Sequence, residues 1–61
     1  MFKKYPVSLD IYNQKNILQG INDFSDICSI SFDGEVLTLW GDDEEQINEF
    51  FGEFMNYILT L

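Results

Sequence analysis

The chain has no histidine and no arginine, one cysteine, one proline and only three lysines in its 61 residues. Each shortage excludes something. Without histidine, acid–base chemistry would fall to a carboxylate, tyrosine, cysteine or lysine. Cys28 has no histidine partner and alternates with apolar residues, so it reads as a small core residue, not a thiolate nucleophile. A single cysteine forms no internal disulfide and, without histidine, makes no zinc site. Gly20, Gly34, Gly41 and Gly52 are isolated, so no phosphate-cradling glycine loop exists. Catalysis is not expected, and no metal or cofactor is implied.

Long apolar runs are missing too. No segment approaches the roughly 18 residues of a membrane span. "MFKKYPVSLD" carries two lysines but no apolar stretch of the signal-peptide kind. Together with the unpaired cysteine, this gives the expectation of a cytoplasmic, reducing setting.

Positive charge is confined to Lys3, Lys4 and Lys15, and the net charge is −8. From Asn16 onward there are ten acidic residues and no basic one. Such a field repels nucleic acid and anionic lipid. It suits a basic protein or peptide partner, or serves solubility alone.

What is present is a core. Six Phe, three Tyr and one Trp make the chain too apolar to be disordered. One domain of this size buries only about 60% of its unfolded surface. Without disulfide or metal, association is the remaining route to added stability, so a homodimer or a complex with a larger protein is expected.

The order of elements follows from periodicity. Tyr5, Val7, Leu9 and Ile11 alternate with polar positions and predict a strand, with Pro6 at its start or on a sheet edge. Ile17, Ile21, Phe24 and Cys28, with Leu18 beside them, predict a helix from about Gln14 to Phe24, capped by Asn13. Gly20 at the edge of this stripe suggests close approach of another element. Asp33-Gly34 between two alternating runs predicts a two-residue hairpin turn. That register sets Phe32 against Glu35, Ile30 against Leu37 and Cys28 against Leu39 on a core-facing side. Ser31 then faces Val36, Ser29 faces Thr38 and Ile27 faces Trp40 on the other side. In the last segment Ile47, Phe50, Phe51, Phe54, Ile58 and Leu61 share an arc of about 100° at helical spacing. The prediction is an α+β fold: a βαββα chain, a three-stranded mostly antiparallel sheet and both helices on one face. Strand order 1-3-2 is the simplest arrangement, with a parallel pairing of the first two strands as the alternative.

"WGDDEEQ" places four carboxylates in a row. Consecutive helical carboxylates point about 100° apart, so they do not converge on a cation. Asp42 followed by Glu45 has the spacing of a capping box, and Asp43 and Glu44 suit the first turn of a helix. The other use of such charge is imitation of phosphates by Asp43, Glu45, Glu49 and Glu53, as in an acidic inhibitor of phage type that occupies a basic protein. Two apolar surfaces are candidates for a partner. Ile27, Val36 and Trp40 lie on the outer sheet face, and Gly52, Met55 and Leu59 lie on a flank of the last helix.

"ILQGINDFSDICSISFDGE", with its helix ending in Phe24-Ser25-Asp26, and "EFFGEFMNYIL", with Phe54-Met55-Asn56, resemble HxsD, the small protein of His-Xaa-Ser systems. The resemblance runs from about Val7 through the last helix. One departure is the ending "YILTL", where that family tends to close on a basic residue. The resemblance implies a non-catalytic accessory to a radical-SAM enzyme that modifies a ribosomally made peptide. It would bind the precursor peptide or the enzyme. A sheet edge offers a route, since an extended peptide can add as a strand.

Overall fold

A computed structural model describes all 61 residues. The elements are β1 (Phe2–Pro6), α1 (Gln14–Asp23), β2 (Ser29–Phe32), β3 (Val36–Trp40) and α2 (Glu44–Leu59). The order is βαββα, as the periodicity predicts, and the sheet is antiparallel with strand order β1-β3-β2.

β3 is the central strand, and its alternation sets the layers. Leu37 and Leu39 point to one face and are fully buried; Val36, Thr38 and Trp40 point to the other. Both helices lie on the Leu37–Leu39 face. Ile17 of α1 and Ile47, Phe54 and Ile58 of α2 close the core over it. β1 contributes Tyr5, whose ring stacks on Phe51 at a centroid distance of 3.9 Å. Phe24, just past α1, meets Phe54 edge-on at 5.6 Å.

The two helices approach closely because Gly20 has no side chain. A Cβ there would stand 2.7 Å from Ile58 Cγ2 and 2.9 Å from Phe54 Cε2. Both are rigid groups of the core, so neither can retreat cheaply. Helix α1 starts where expected, with the Asn13 side chain accepting from Lys15 N at 2.8 Å.

The first strand is displaced from the sequence reading. It covers Phe2–Pro6, and Leu9 and Ile11 are exposed in a turn. The reason is the length of its partner. Val7 N donates to Glu35 O at 2.9 Å, and there β3 gives way to the hairpin turn. A strand continued past Val7 would have no ladder to join. The chain instead folds back on Ser8, whose carbonyl accepts from Ile11 N and Tyr12 N. Pro6 does lie on an edge. Odd-numbered Met1 and Val7 bond to Gly41 and Glu35 at the two ends of the β1–β3 ladder, so the position of Pro6 turns its missing N–H to the open side.

The hairpin differs by one residue in its turn. The central pair is Gly34-Glu35, not Asp33-Gly34, and Phe32 opposes Leu37. Gly34 has φ +104°, and no other residue in the chain adopts positive φ. A turn centred on Asp33-Gly34 would need positive φ at both residues. Asp33 stands before the turn instead, and its carboxylate accepts from Glu35 N at 2.9 Å and Val36 N at 2.8 Å. The register therefore slips by two, and a shift of two leaves each side chain on its predicted face.

Gly20 and Gly52 should respond oppositely to alanine. In an exposed helix the exchange stabilises by about 0.5–1 kcal/mol. Gly52 has nothing within 4 Å of a built Cβ, so Gly52→Ala is expected to gain that amount. At Gly20 overpacking costs about 1–3 kcal/mol and outweighs the gain. Urea unfolding of the two variants reads the signs, and a stabilised Gly20→Ala would refute the close-approach account.

Candidate functional site

The outer sheet face carries no helix and no acidic strand residue. Its rows follow from the register. Phe2, Trp40 and Ser29 form one row, Lys4, Thr38 and Ser31 the next, and Pro6 and Val36 the last. Trp40 is 42% exposed and Phe2 55%. Their rings lie 6.4 Å apart at 45°. Two large aromatics this open, side by side on an uncovered sheet, form the most apolar spot on that face.

The predicted trio of Ile27, Val36 and Trp40 is not brought together. With Ser29 opposite Trp40, Ile27 falls outside β2, in the turn after α1, where its N–H donates to Phe24 O at 2.9 Å. It is exposed but not beside Trp40 in the ladder. Val36 shares the face of Trp40 but sits four residues away, roughly 13 Å along the strand, next to Pro6. Phe2 is the member that the sequence reading missed. The signal was available: Lys3, Tyr5 and Val7 alternate against Phe2, Lys4 and Pro6 once the strand is started at Phe2.

The helix flank divides as well. Gly52 is open, Met55 is half-buried against the core and Leu59 is 64% exposed. Leu59 borders a groove with Ile11, Tyr12, Asn13, Asn16 and Ile58. Its volume of about 190 Å³ is below the roughly 300 Å³ of small-molecule sites.

The acidic row has mostly local tasks. Asp43, not Asp42, is the N-cap of α2 and accepts from Gln46 N at 2.8 Å. Gln46 Oε1 in turn accepts from Asp42 N at 2.7 Å, so the return bond reaches the residue before the cap, and the box predicted for Asp42–Glu45 does not form. Glu44 and Glu45 occupy the first turn. Glu44 accepts from Lys3 Nζ at 2.9 Å, and this bond raises the lysine pKa. Glu45 and Glu49 border an open depression with Glu44 and Asn48, and Glu53 lies further along α2. No three acidic or cysteine side chains gather in a way that could hold a metal ion.

The other perturbed groups are explained by their neighbours. Burial pushes the Cys28 thiol up, and the Glu53 carboxylate adds to it, so the thiolate is disfavoured. Tyr57 donates to Asp23 Oδ2 at 2.5 Å, which holds its proton and raises its pKa. The amides of Val36 and Glu35 hold Asp33 below the usual carboxylate range.

No protein-family model matches the chain, and neither a curated protein nor a solved structure matches it. No helix is long and apolar enough to cross a membrane.

Two predictions follow from these carboxylates. Asp43→Ala removes the cap and should cost about 1 kcal/mol, whereas Asp42→Ala leaves its backbone bond intact and should stay within about 0.5 kcal/mol. Equal effects in chemical unfolding would contradict the assignment. For Asp33 the lowered folded pKa means its contribution is present above the unfolded value, near 3.8, and is lost as pH falls through the folded value. Asp33→Ala should therefore melt below the wild type at neutral pH, with the gap closing in acid. A variant more stable at neutral pH would instead report relief of the general charge repulsion.

Proposed function

We propose that the chain is a non-catalytic binding module for a basic protein or peptide, with the Trp40–Phe2 end of the open sheet face as its apolar contact. The supporting observation is the uncovered face itself: the only large aromatics on the strands that escape the core are paired there, about half exposed. Tryptophan at the centre of a contact is a common source of binding energy. The strand residues of this face carry no acid, so a basic partner drawn by the acidic turns and the net charge of −8 docks without burying a carboxylate.

The HxsD-like elements support a narrower form of this reading. In it the partner is a radical-SAM maturation enzyme or its precursor peptide, and the chain assists without reacting. The alternative, an acidic inhibitor imitating nucleic acid, rests on Glu45, Glu49 and Glu53 alone. Asp43 is spent on the cap, and Glu44 is paired with Lys3.

Two measurements test the proposal. A radical-SAM enzyme and a short precursor peptide should be encoded beside the chain, and the lack of both removes the narrower form. Affinity capture from the native cell should then retain one of these two partners with Glu45/Glu49/Glu53→Gln, and lose it about tenfold or more with Trp40→Ser. The reverse pattern, with a nucleic-acid-binding protein captured, would establish the inhibitor reading in its place.

A further inference from the structure

The sheet has two edges, and only one of them is closed to a further strand. On β1 the outward-facing backbone positions are Phe2, Lys4 and Pro6. Pro6 offers no donor, and Lys3 and Lys4 add charge, both standard ways to blunt an edge. On β2 the parity is set by Asp33, whose N–H donates to Val36 O at 3.3 Å. Ser29 and Ser31 therefore bond to β3, and the amides and carbonyls of Ile30 and Phe32 face outward. Neither residue makes a hydrogen bond outside the strand pairing. The segment Ser29-Ile30-Ser31-Phe32 has no charge, no proline and no glycine.

The ends of this edge are acidic. Asp26 precedes β2, Asp33 follows it directly, and Glu35 lies in the turn. The Asp33 carboxylate bonds to amides and keeps its charge, and Asp26 makes no ion pair. A second copy of the chain is the wrong occupant on these grounds. Antiparallel pairing of Ile30 with Phe32 of a second copy would set each copy's Asp33 against the other's Ser29 and bring together two chains of −8 each.

We propose that β2 is the docking edge, and that it takes an extended, lysine- or arginine-flanked segment of the partner as a fourth strand. Its backbone would pair with Ile30 and Phe32. Alternate side chains would fall beside Ser29, in the row that contains Trp40, and beside Ser31, in the row of Thr38 and Lys4, on the open face. The basic flanks would meet Asp26 and Asp33. This rests on the binding-module reading and deepens it by naming the edge and the chemistry of the segment.

The probe is a synthetic peptide of about ten alternating valines and threonines with lysines at both ends, compared with a glutamate-ended twin. Amide exchange of the full chain is the readout, with Trp40 fluorescence alongside. Ile30 and Phe32 amides should slow about tenfold or more with the lysine-ended peptide, while Phe2 and Lys4 amides stay unchanged. The glutamate-ended twin should bind about tenfold more weakly, and added salt should narrow the difference. N-methylation of alternate peptide amides should abolish binding in one register and spare it in the other. Protection at Phe2 and Lys4, equal binding of the twin, or indifference to N-methylation in both registers overturns the proposal. So does protection of Ile30 that grows with protein concentration alone, which would identify a second copy. Failure to protect Ile30 and Phe32 at saturation also overturns it. If a captured partner still shifts Trp40 fluorescence in that case, the binding-module reading survives without the edge.

Discussion

The central strand ties the core to the open face. β3 gives backbone bonds to β1 on one side and β2 on the other, and its five residues alternate strictly. Burying Leu37 and Leu39 under the helices leaves Val36, Thr38 and Trp40 on the far side. The two helices, of 10 and 16 residues, form a single layer on the Leu37–Leu39 side. The exposed side of the sheet thus follows from the parity of β3, and Gly20 lets the two helices pack as one layer. By letting α1 reach Phe54 and Ile58, it joins both helices into one core.

Charge is distributed by the same geometry. The acidic residues lie on helix surfaces, turns and caps, where carboxylates are solvated or bonded to amides. The row at Asp42 to Glu45 shows how little of such a cluster is left for a partner. One member caps, one pairs with Lys3, and two sit where the helix dipole favours them or beside it. A dense acidic motif can therefore arise from local helix physics alone. The depression at Glu45 and Glu49 remains, but it has no hydrophobic lining.

Much of the fold was legible because it depends on periodicity, and less of the site because it depends on register. Ile17, Phe24, Phe54 and Ile58 recur at helical spacing, and Leu37 and Leu39 alternate, so the core and the element order could be read. The inner and outer faces of the hairpin survived a wrong turn because the slip was two residues. The site did not survive it, since two residues move Ile27 away from Trp40 and put Ser29 there. Phe2 was hidden by Leu9 and Ile11, which continue the alternation of Tyr5 and Val7 past the point where β3 has a partner to offer. Alternation records what a strand could bury; only the ladder records how far it runs. The cap at Asp43 was missed by one residue for a similar reason. Asp42 and Asp43 are chemically equivalent, and the choice rests on where the chain leaves β3.

An uncharged strand edge in so acidic a protein needs a physical account. Open edges invite self-pairing, and natural sheets usually cover or charge them. Here β1 is protected by Pro6 and its lysines, whereas β2 has no device within its own sequence. Its protection comes from the rest of the molecule. A net charge of −8, with Asp26 and Asp33 at the ends of the strand, opposes any approach by a like molecule. Repulsion of this kind discriminates by sign: it opposes pairing with a like-charged chain or surface, and it becomes attraction for a basic segment. The same carboxylates can thus keep the protein from aggregating and select what pairs with it. In the proposed complex the apolar contact at Trp40 and Phe2 would add affinity that the short edge alone, with only Ile30 and Phe32 to offer, would lack.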